Sequence, residues 1–323
     1  MHGLIKNVAA LVLFAPLAAG AQSAVPSFPA KPIKLLSMAT GVADGLTRMM
    51  AQKMQESMGQ PVIVDPQPAA GGAIAAEQTA RAAPDGYTLF VSYPDPIVLR
   101  HLLVKNVPYD TLRDLAPVAM MIEAQIVIAA HPSVAANNLR DLIAQAKANP
   151  GKLSYGSNGV GTSFQMAGEA LKLHSGTDIL HVPFKSSPDA LAALLRGDIS
   201  LIVAAVGTTL PLVKSGKVKV LVTVNDTRSA ALPDLPTIRE QLPAFTSPPY
   251  WTGVLGPAAL PQPVLQRLNA EINKAMGAPE IRSRVSEIAF TSVAITPEQF
   301  RARIAGEITA SAKTAQAAGI QPE

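Results

Sequence analysis

Residues 199–206 read ISLIVAAV and residues 218–224 read VKVLVTV, so two nearly continuous apolar runs lie close together in the second half of the chain. Strands that are covered by helices on both faces have this composition, because neither face meets water. Just before the first run, Leu191, Leu194 and Leu195 recur at helical spacing. A buried strand that follows an amphipathic helix is typical of an α/β fold.

The same alternation of short apolar runs with amphipathic helices continues outward in both directions. Ile179–Phe184 is a predicted strand, and Ser187-Pro188 is predicted to be the N-cap and first residue of the next helix. Residues 296–299 read TPEQ, a capping-box arrangement that predicts the start of the last helix. The alternation predicts parallel sheets with crossover helices. Further predicted strands are Ile33–Ser37, Val62–Val64, Thr88–Ser92 and Ile126–Ala130.

Two proline-rich stretches, residues 232–236 and 243–249, are candidate linkers. A length of 323 residues allows about two domains. We expect one domain to comprise residues 22–124 together with 249–323, and the other to comprise residues 125–248. The chain would then cross twice between the domains, and the two crossings would form a hinge.

The first 21 residues have the pattern of a secretory signal peptide. Lys6 supplies a positive charge, an apolar run from Val8 to Ala19 follows, and Ala19-Gly20-Ala21 provides the small residues of a cleavage site. The run is too short for a membrane span, which takes about 20 apolar residues. We therefore expect residues 1–21 to be removed on export and the mature protein to be periplasmic.

The composition restricts the classes of function. The chain contains no cysteine, which excludes disulfides, thiol catalysis and thiolate metal sites. Its formal net charge is +4, its charges are interspersed, and aromatic residues make up only 4% of it. Nucleic-acid binding is therefore not expected. The mild positive charge suits a small anionic ligand.

The sequence shows no recognisable catalytic or metal-binding set. The histidines have no metal-site spacing, and Ser157 has Gly159 but not the preceding glycine of a nucleophile elbow, because Tyr155 stands there. His181 lies in an apolar strand, where a buried structural histidine is commoner than a catalytic base. We expect no catalytic residues, no metal and no cofactor. The histidines are His2, His101, His131, His174 and His181.

Two loops between a strand and a helix could present backbone N–H groups to an anion. Residues 37–44 join the first strand to the first helix, and residues 155–163 form a glycine-rich loop before another helix. Such N–H groups at a helix start attract carboxylates. The alternative for both loops is an ordinary capped helix start, and Asp44 in particular is either a cap or a ligand contact. The amides of the first loop belong to Thr40, Gly41, Val42 and Ala43.

A series of short motifs, in order along the chain, resembles the Bug-type solute receptors of tripartite tricarboxylate transporters. The most specific pair is PAAGG at residues 68–72 and APDGYTL at residues 83–89. The resemblance covers nearly the whole chain after the signal peptide. The other motifs are KPIK (31–34), PYD (108–110), NPGKL (149–153), YGS (155–157), HVPFK (181–185) and LPDLPT (232–237).

This resemblance implies a two-domain type II periplasmic binding fold with a cleft that holds a small carboxylate-bearing ligand. It also implies which residues clasp the ligand carboxylate. In the first domain they are Thr40, Gly41, Val42 and Asp44. In the second domain they are Ser157, Asn158, Gly159, Thr162 and Ser163, with Phe184 on the wall of the cleft.

The sequence departs from the family pattern at three places. Residues 37–44 lack the usual prolines and keep one glycine, and Ala204-Ala205 stands where an Asp-Ser pair is common, so Ala205 removes a polar contact. Tyr93-Pro94-Asp95-Pro96 replaces a stretch that is usually small and rich in Ser and Gly. We hypothesise that Asp95 meets a cationic group, which would make the ligand zwitterionic or aromatic. The alternative is that Asp95 caps a helix or faces solvent.

The leading interpretation is a monomeric, non-enzymatic receptor that captures a carboxylate-bearing or zwitterionic solute by domain closure and delivers it to a membrane transporter. A second interpretation is a sensor that presents the ligand to a membrane signalling partner. A third is a secreted hydrolase whose catalytic residues converge from distant positions in the sequence.

Overall fold

A computed structural model describes residues 28–247, 249–317 and 319–322. The predicted signal peptide, residues 1–21, lies outside the described residues. The strands are β1 (Ile33–Ser37), β2 (Val62–Pro66), β3 (Thr88–Ser92), β4 (Leu115–Ala124), β5 (Ile126–Ala130), β6 (Ser154–Ser157), β7 (Leu180–Pro183), β8 (Leu201–Ala205), β9 (Lys219–Thr223), β10 (Tyr250–Pro257) and β11 (Phe290–Ser292).

Helices surround these strands, and their ends follow from local sequence. α1 ends at Met58, and its C-cap Gly59 adopts the left-handed conformation and donates its N–H to the Gln55 carbonyl. The helices are α1 (Gly41–Met58), α2 (Ala73–Ala80), α3 (Arg100–Leu103), α4 (Thr111–Asp114), α5 (Leu139–Ala148), α6 (Ser163–Ser175), α7 (Ser187–Arg196), α8 (Val206–Lys214), α9 (Gln262–Met276), α10 (Pro279–Glu287) and α11 (Pro297–Ala317). A π-helical turn covers Asp95–Leu99.

The strands form two sheets, with the orders β11-β4-β10-β3-β1-β2 and β7-β6-β8-β5-β9. The predicted α/β class is confirmed, but the sheets are mixed and not wholly parallel. β10 runs antiparallel to β3 and β4, and β5 runs antiparallel to β8 and β9. β5 follows β4 after a single residue, and β10 follows β9 after residues 224–249, where none of the helices α1–α11 lies. No crossover helix therefore fixes the direction of either strand, as one does in a βαβ unit.

Each sheet has its own apolar core. We call the first sheet with α1–α4 and α9–α11 the first lobe, and the second sheet with α5–α8 the second lobe. The chain passes from the first lobe to the second at Gln125, between β4 and β5, and returns at Pro249, just before β10. Among the described residues, no helix combines the length and the apolar character that crossing a membrane requires.

Several predicted details differ from the structure by small amounts. The N-cap of α7 is Ser186, so Ser187 and Pro188 are its first two helical residues. The predicted apolar face of α7 is only partly buried, because Leu195 is exposed. The capping box at the last helix is confirmed: Thr296 Oγ1 accepts the Gln299 N–H at 3.2 Å, and Gln299 Oε1 accepts the Thr296 N–H at 2.9 Å.

Candidate functional site

The first candidate loop is shorter than its sequence predicts. The helix α1 begins at Gly41, so Gly41–Asp44 form its first turn and not part of a loop. Thr40 is the N-cap residue, but its side chain makes no capping hydrogen bond. A Cβ at Gly41 would meet open space, and both Thr40 and Val42 are exposed. The N-terminus of α1 is therefore an open, uncapped set of N–H groups.

Asp44 is not the cap of α1. It lies in the first turn, where its carboxylate pairs with Arg48 one turn later, at 2.9 Å. The capping interpretation of Asp44 is therefore wrong, because the helix starts three residues before it. A carboxylate in the first turn also interacts favourably with the helix dipole.

The second candidate loop is held by bonds within itself. Thr162 is the N-cap of α6, and its Oγ1 accepts the Gln165 N–H at 3.3 Å and donates to the Gly159 carbonyl at 2.9 Å. Ser157 Oγ accepts the Gly159 N–H at 3.2 Å. The glycine carries a φ of +131°, a conformation that L side chains rarely adopt. The loop is thus a preformed turn.

Asp95 connects the two lobes at the start of α6. Its Oδ1 accepts the Ser163 N–H at 3.1 Å and the Ser163 hydroxyl at 2.9 Å. Asp95 caps a helix, and the capped helix belongs to the other lobe. Burial raises the pKa of the Asp95 carboxyl to about 6, against the opposite effect of the hydrogen bonds from Ser163. Asp95 forms no ion pair with any described residue.

A row of aromatic rings leads from the start of α1 to the start of α6. The Tyr93 hydroxyl accepts the Thr40 N–H at 3.3 Å, just ahead of α1. The Tyr93 and Tyr250 ring centroids are 5.1 Å apart, and the Tyr250 and Phe164 centroids are 5.0 Å apart. Phe164 is the second residue of α6. The two helix N-termini thus lie at opposite ends of a row of three aromatic rings, of which Tyr93 and Phe164 are buried and Tyr250 is partly exposed.

Ser157 and His181 form a pair that superficially resembles a nucleophile and its base, with Oγ and Nε2 2.8 Å apart. Gln165 Oε1 accepts the Gly161 N–H at 2.7 Å, so the Gln165 amide NH₂ is the group that lies 3.4 Å from His181 Nδ1. His181 Nδ1 then accepts and Nε2 carries the proton. A base needs a free lone pair on Nε2. In this arrangement Ser157 Oγ accepts from His181 and donates to the Gly159 carbonyl, so the pair holds the loop in place.

The surroundings of His181 support this structural role. Its ring stacks on Tyr155 with centroids 4.8 Å apart, and burial lowers the His181 pKa, which favours the neutral ring at pH 7. The Tyr155 hydroxyl donates to Glu169 Oε1 at 2.7 Å. These contacts tie β6 and β7 to α6 behind the loop.

The remaining predicted site residues lie in different places. Phe184 packs behind the second loop, where its N–H donates to the Ser157 carbonyl at 3.1 Å. Asn158 Oδ1 is buried and has no hydrogen-bond partner among the described residues. Ala205 ends β8 opposite Ile126 and is buried in the core of the second lobe. No hydrogen bond or ring contact among the described residues links Ala205 to the two loops.

The lobes touch beyond the bond of Asp95. A Cβ on Gly161 would come within 2.8 Å of Leu103 in the first lobe, and a Cβ on Gly207 would overlap the Ile288 carbonyl oxygen. Met166 of α6 is buried in the core of the first lobe. The structure therefore shows the two lobes closed on each other.

A cavity of about 530 Å³ lies between the lobes next to the crossings, away from both loops. Its lining includes Glu123, Asn225, Arg239, Arg303 and Glu307, and none of the predicted site residues. In the described part of the chain, no group of three or more His, Asp or Glu side chains is arranged to hold a metal ion.

Four residues near the two loops were not predicted from the sequence: Tyr250, Phe164, Gln165 and Leu103. Tyr250 follows a proline-rich linker in a chain with few aromatic residues, which is a weak signal. Phe164 directly follows the predicted site residues Thr162 and Ser163, and this adjacency in the sequence was a signal that could have identified it. Gln165 and Leu103 carry no signal, because their roles depend on contacts with distant parts of the chain.

The chain is similar in sequence and in structure to known proteins. The family model described as "Tripartite tricarboxylate transporter family receptor" matches residues 46–320. A UPF0065 protein of Bordetella bronchiseptica is 32% identical over 327 residues, covering 99% of this chain and 96% of that protein. Protein BugT of Bordetella pertussis is 32% identical over 286 residues, covering 87% of each chain. An R. palustris protein solved with adipate has a TM-score of 0.80 and 27% identity, covering 92% of this chain and 100% of its own.

Proposed function

Because this chain belongs to the tripartite tricarboxylate transporter receptor family, we propose that it captures a small carboxylate-bearing solute between its two lobes and hands it to a membrane transporter. The resemblance of the ordered motifs to Bug-type receptors is confirmed. The family is one of periplasmic solute-binding receptors, which is not an enzyme class. We propose further that this protein is exported to the periplasm, works as a monomer and performs no catalysis.

The observation that carries the proposal is the open N-terminus of α1. Gly41, Val42 and Ala43 present N–H groups that no side chain of the described residues accepts, and the N-cap side chain of Thr40 is not used. Helix N-termini bind carboxylates because the N–H groups point outward and the helix dipole adds positive potential. The N-terminus of α6, in contrast, is capped by Thr162 and Asp95.

The proposed capture requires two bodies that move. We propose that residues 22–124 with 249–323 form one domain and residues 125–248 the other, with the hinge at the two crossings. The sheets support this division, since the strands of the first sheet come from residues 33–124 and 250–292, and those of the second from residues 126–223. Closure of such domains around a ligand is a common hinge motion.

The substitution Thr40→Asp tests the site at α1. An Asp N-cap would accept the first-turn N–H groups itself and would compete with a ligand carboxylate for them. We expect unfolding stability to rise by roughly 0.5–1 kcal/mol, while carboxylate affinity, measured by titration calorimetry, falls about tenfold or more. Reversible, stoichiometric binding without turnover in the unmodified protein would distinguish capture from hydrolysis.

Ala278→Asp is a matched control for this test. Ala278 is the N-cap of α10, where no side chain makes a capping bond either, and it lies outside both loops. The control should gain stability in the same way and keep its affinity. If Thr40→Asp binds the same carboxylates as tightly as the control, the α1 site is wrong.

A further inference from the structure

The carboxylate of Asp95 takes the position at α6 that a ligand carboxylate would otherwise take. It accepts both the backbone N–H and the hydroxyl of Ser163, the first residue of the helix. A helix N-terminus is where an anion is most favourably placed. The first lobe therefore supplies an anion, the Asp95 carboxylate, to the N-terminus of α6 in the second lobe.

The charge of Asp95 is not balanced by a protein cation. No described Lys, Arg or His forms an ion pair with it, and both of its hydrogen bonds go to Oδ1. The groups beside it are Tyr93 and Tyr250, neutral phenols whose pKa values are raised by burial. Oδ2 therefore remains a free acceptor of a partly buried carboxylate.

The two helix starts thus differ in what they can bind. The start of α1 is uncapped and offers free N–H groups, whereas the start of α6 is occupied by a negative charge. Two carboxylates that share one partly buried site repel each other, and one must lose its charge or leave. A donor group placed against Asp95 would instead gain a charge-assisted hydrogen bond.

Building on the function proposed above, we infer that Asp95 is a specificity-determining residue that rejects a second ligand carboxylate. The receptor then selects solutes with one carboxylate, bound at α1, and with a hydrogen-bond donor, preferably an ammonium group, at the opposite end. Tyr250, the partly exposed ring between the buried Tyr93 and Phe164, would contact the apolar middle of such a solute. Linear dicarboxylates such as adipate are disfavoured by this arrangement.

Titration calorimetry with three series of matched compounds tests the inference. The probes are the linear dicarboxylates from succinate to suberate, the ω-amino acids of the same lengths, and the corresponding unsubstituted monocarboxylates. We expect the unmodified protein to bind the best ω-amino acid at least about tenfold more tightly than the dicarboxylate of equal length. In Asp95→Asn, which keeps an oxygen that can accept from Ser163, we expect this preference to vanish or reverse.

Asp198→Asn is the control, because Asp198 is an exposed carboxylate of the second lobe that pairs with Arg196. It should keep the preference of the unmodified protein. Asp95→Ser, a smaller neutral side chain, provides a second variant if Asp95→Asn does not fold. If the unmodified protein and Asp95→Asn rank the three series alike, the role of Asp95 is wrong and carboxylate capture stands. If no compound of any series binds either protein, the proposed function itself is overturned.

Discussion

Two carboxyl groups, those of Asp95 and Glu307, are unusual because both lie where the lobes meet and burial raises the pKa of both. Glu307 of α11 is 7% exposed, accepts the Trp251 indole N–H at 2.8 Å and pairs with Arg303, which also pairs with Glu123. Burial raises the Glu307 pKa to about 7, although the hydrogen bonds from Trp251 and Arg303 oppose the shift. The ionised form of Glu307 is therefore less favourable in the folded than in the unfolded protein.

The unfolding stability of a Glu307 variant, relative to the unmodified protein, should therefore change with pH. The folded pKa of Glu307 lies above the ordinary glutamate value of 4.5, so the ionised carboxyl reduces stability above pH 7 and has no such effect below pH 4.5. Relative to the unmodified protein, Glu307→Gln should gain stability as pH rises from about 4.5 to 7, by on the order of 3 kcal/mol. Thermal unfolding at several pH values measures the difference. A constant difference across this range would contradict the assignment.

The sequence could identify Asp95 as unusual but not its partner. The stretch Tyr93-Pro94-Asp95-Pro96 was conspicuous because its residues are large or charged where the family pattern is small. Ser163 lies 68 positions further along and in the other lobe. Local patterns cannot pair residues at that separation, since the contact exists only when both lobes have folded and closed. Asp44 is an error of the opposite kind. Its sequence position predicts an N-cap, but α1 starts three residues earlier, at Gly41, so Asp44 cannot be the N-cap.

At the scale of single elements, α6 carries the second loop and packs against both lobes. Met166 and Ala170 of this helix are buried, whereas Leu173 is 40% exposed. Gly168 faces the ring of Tyr155 so closely that a Cβ there would overlap the ring. Glycine has a poor helix propensity, but it is needed at position 168 because the Tyr155 ring occupies the space that a side chain would take.

Substitution of this glycine should lower stability even though alanine is the better helix former. Gly168→Ala must displace the Tyr155 ring, its bond to Glu169 and its stack on His181. We expect a loss of about 1–3 kcal/mol from overpacking, measured by denaturant unfolding. Gly306→Ala is the matched comparison. Gly306 lies in α11 with open space at its Cβ, so the change should stabilise by up to about 1 kcal/mol. Equal effects of the two substitutions would refute the steric explanation.

The first and last residues of a strand or helix were predicted well where a single local sequence pattern determines them. β1 and β3 have the bounds that their apolar runs predict, and the capping box places the start of α11 correctly. The directions of β5 and β10 were not predictable from such signals. A strand that arrives from another sheet can pair either way, and its direction depends on contacts across the whole lobe.

At the scale of the whole molecule, the two lobes meet at a close contact between main-chain atoms of α8 and of the residue that follows α10. Gly207, in the first turn of α8, lies against the carbonyl of Ile288 in the first lobe. Neither group can rotate away, because both are main chain. A side chain at this position can be accommodated only if the lobes separate.

Gly207→Ala should therefore favour an open molecule without unfolding either lobe. We expect ligand affinity to fall about tenfold, because the binding-competent closed state becomes less populated. The radius of gyration of the free protein, measured by small-angle X-ray scattering, should increase. Gly306→Ala again serves as the comparison. An unchanged radius together with unchanged affinity would show that the contact does not limit closure.

The strand that follows the second crossing, β10, contains the chain's one tryptophan. Trp251 follows Tyr250 directly, is fully buried, and lies between the edge-on ring of Phe300 and the carboxyl of Glu307. Light at the red edge of indole absorption excites this residue and none of the tyrosines. Its emission therefore comes from a single place, the strand on which the chain returns to the first lobe. The protein contains its own optical probe of hinge movement, and a solute that closes the lobes should change the emission without any attached dye.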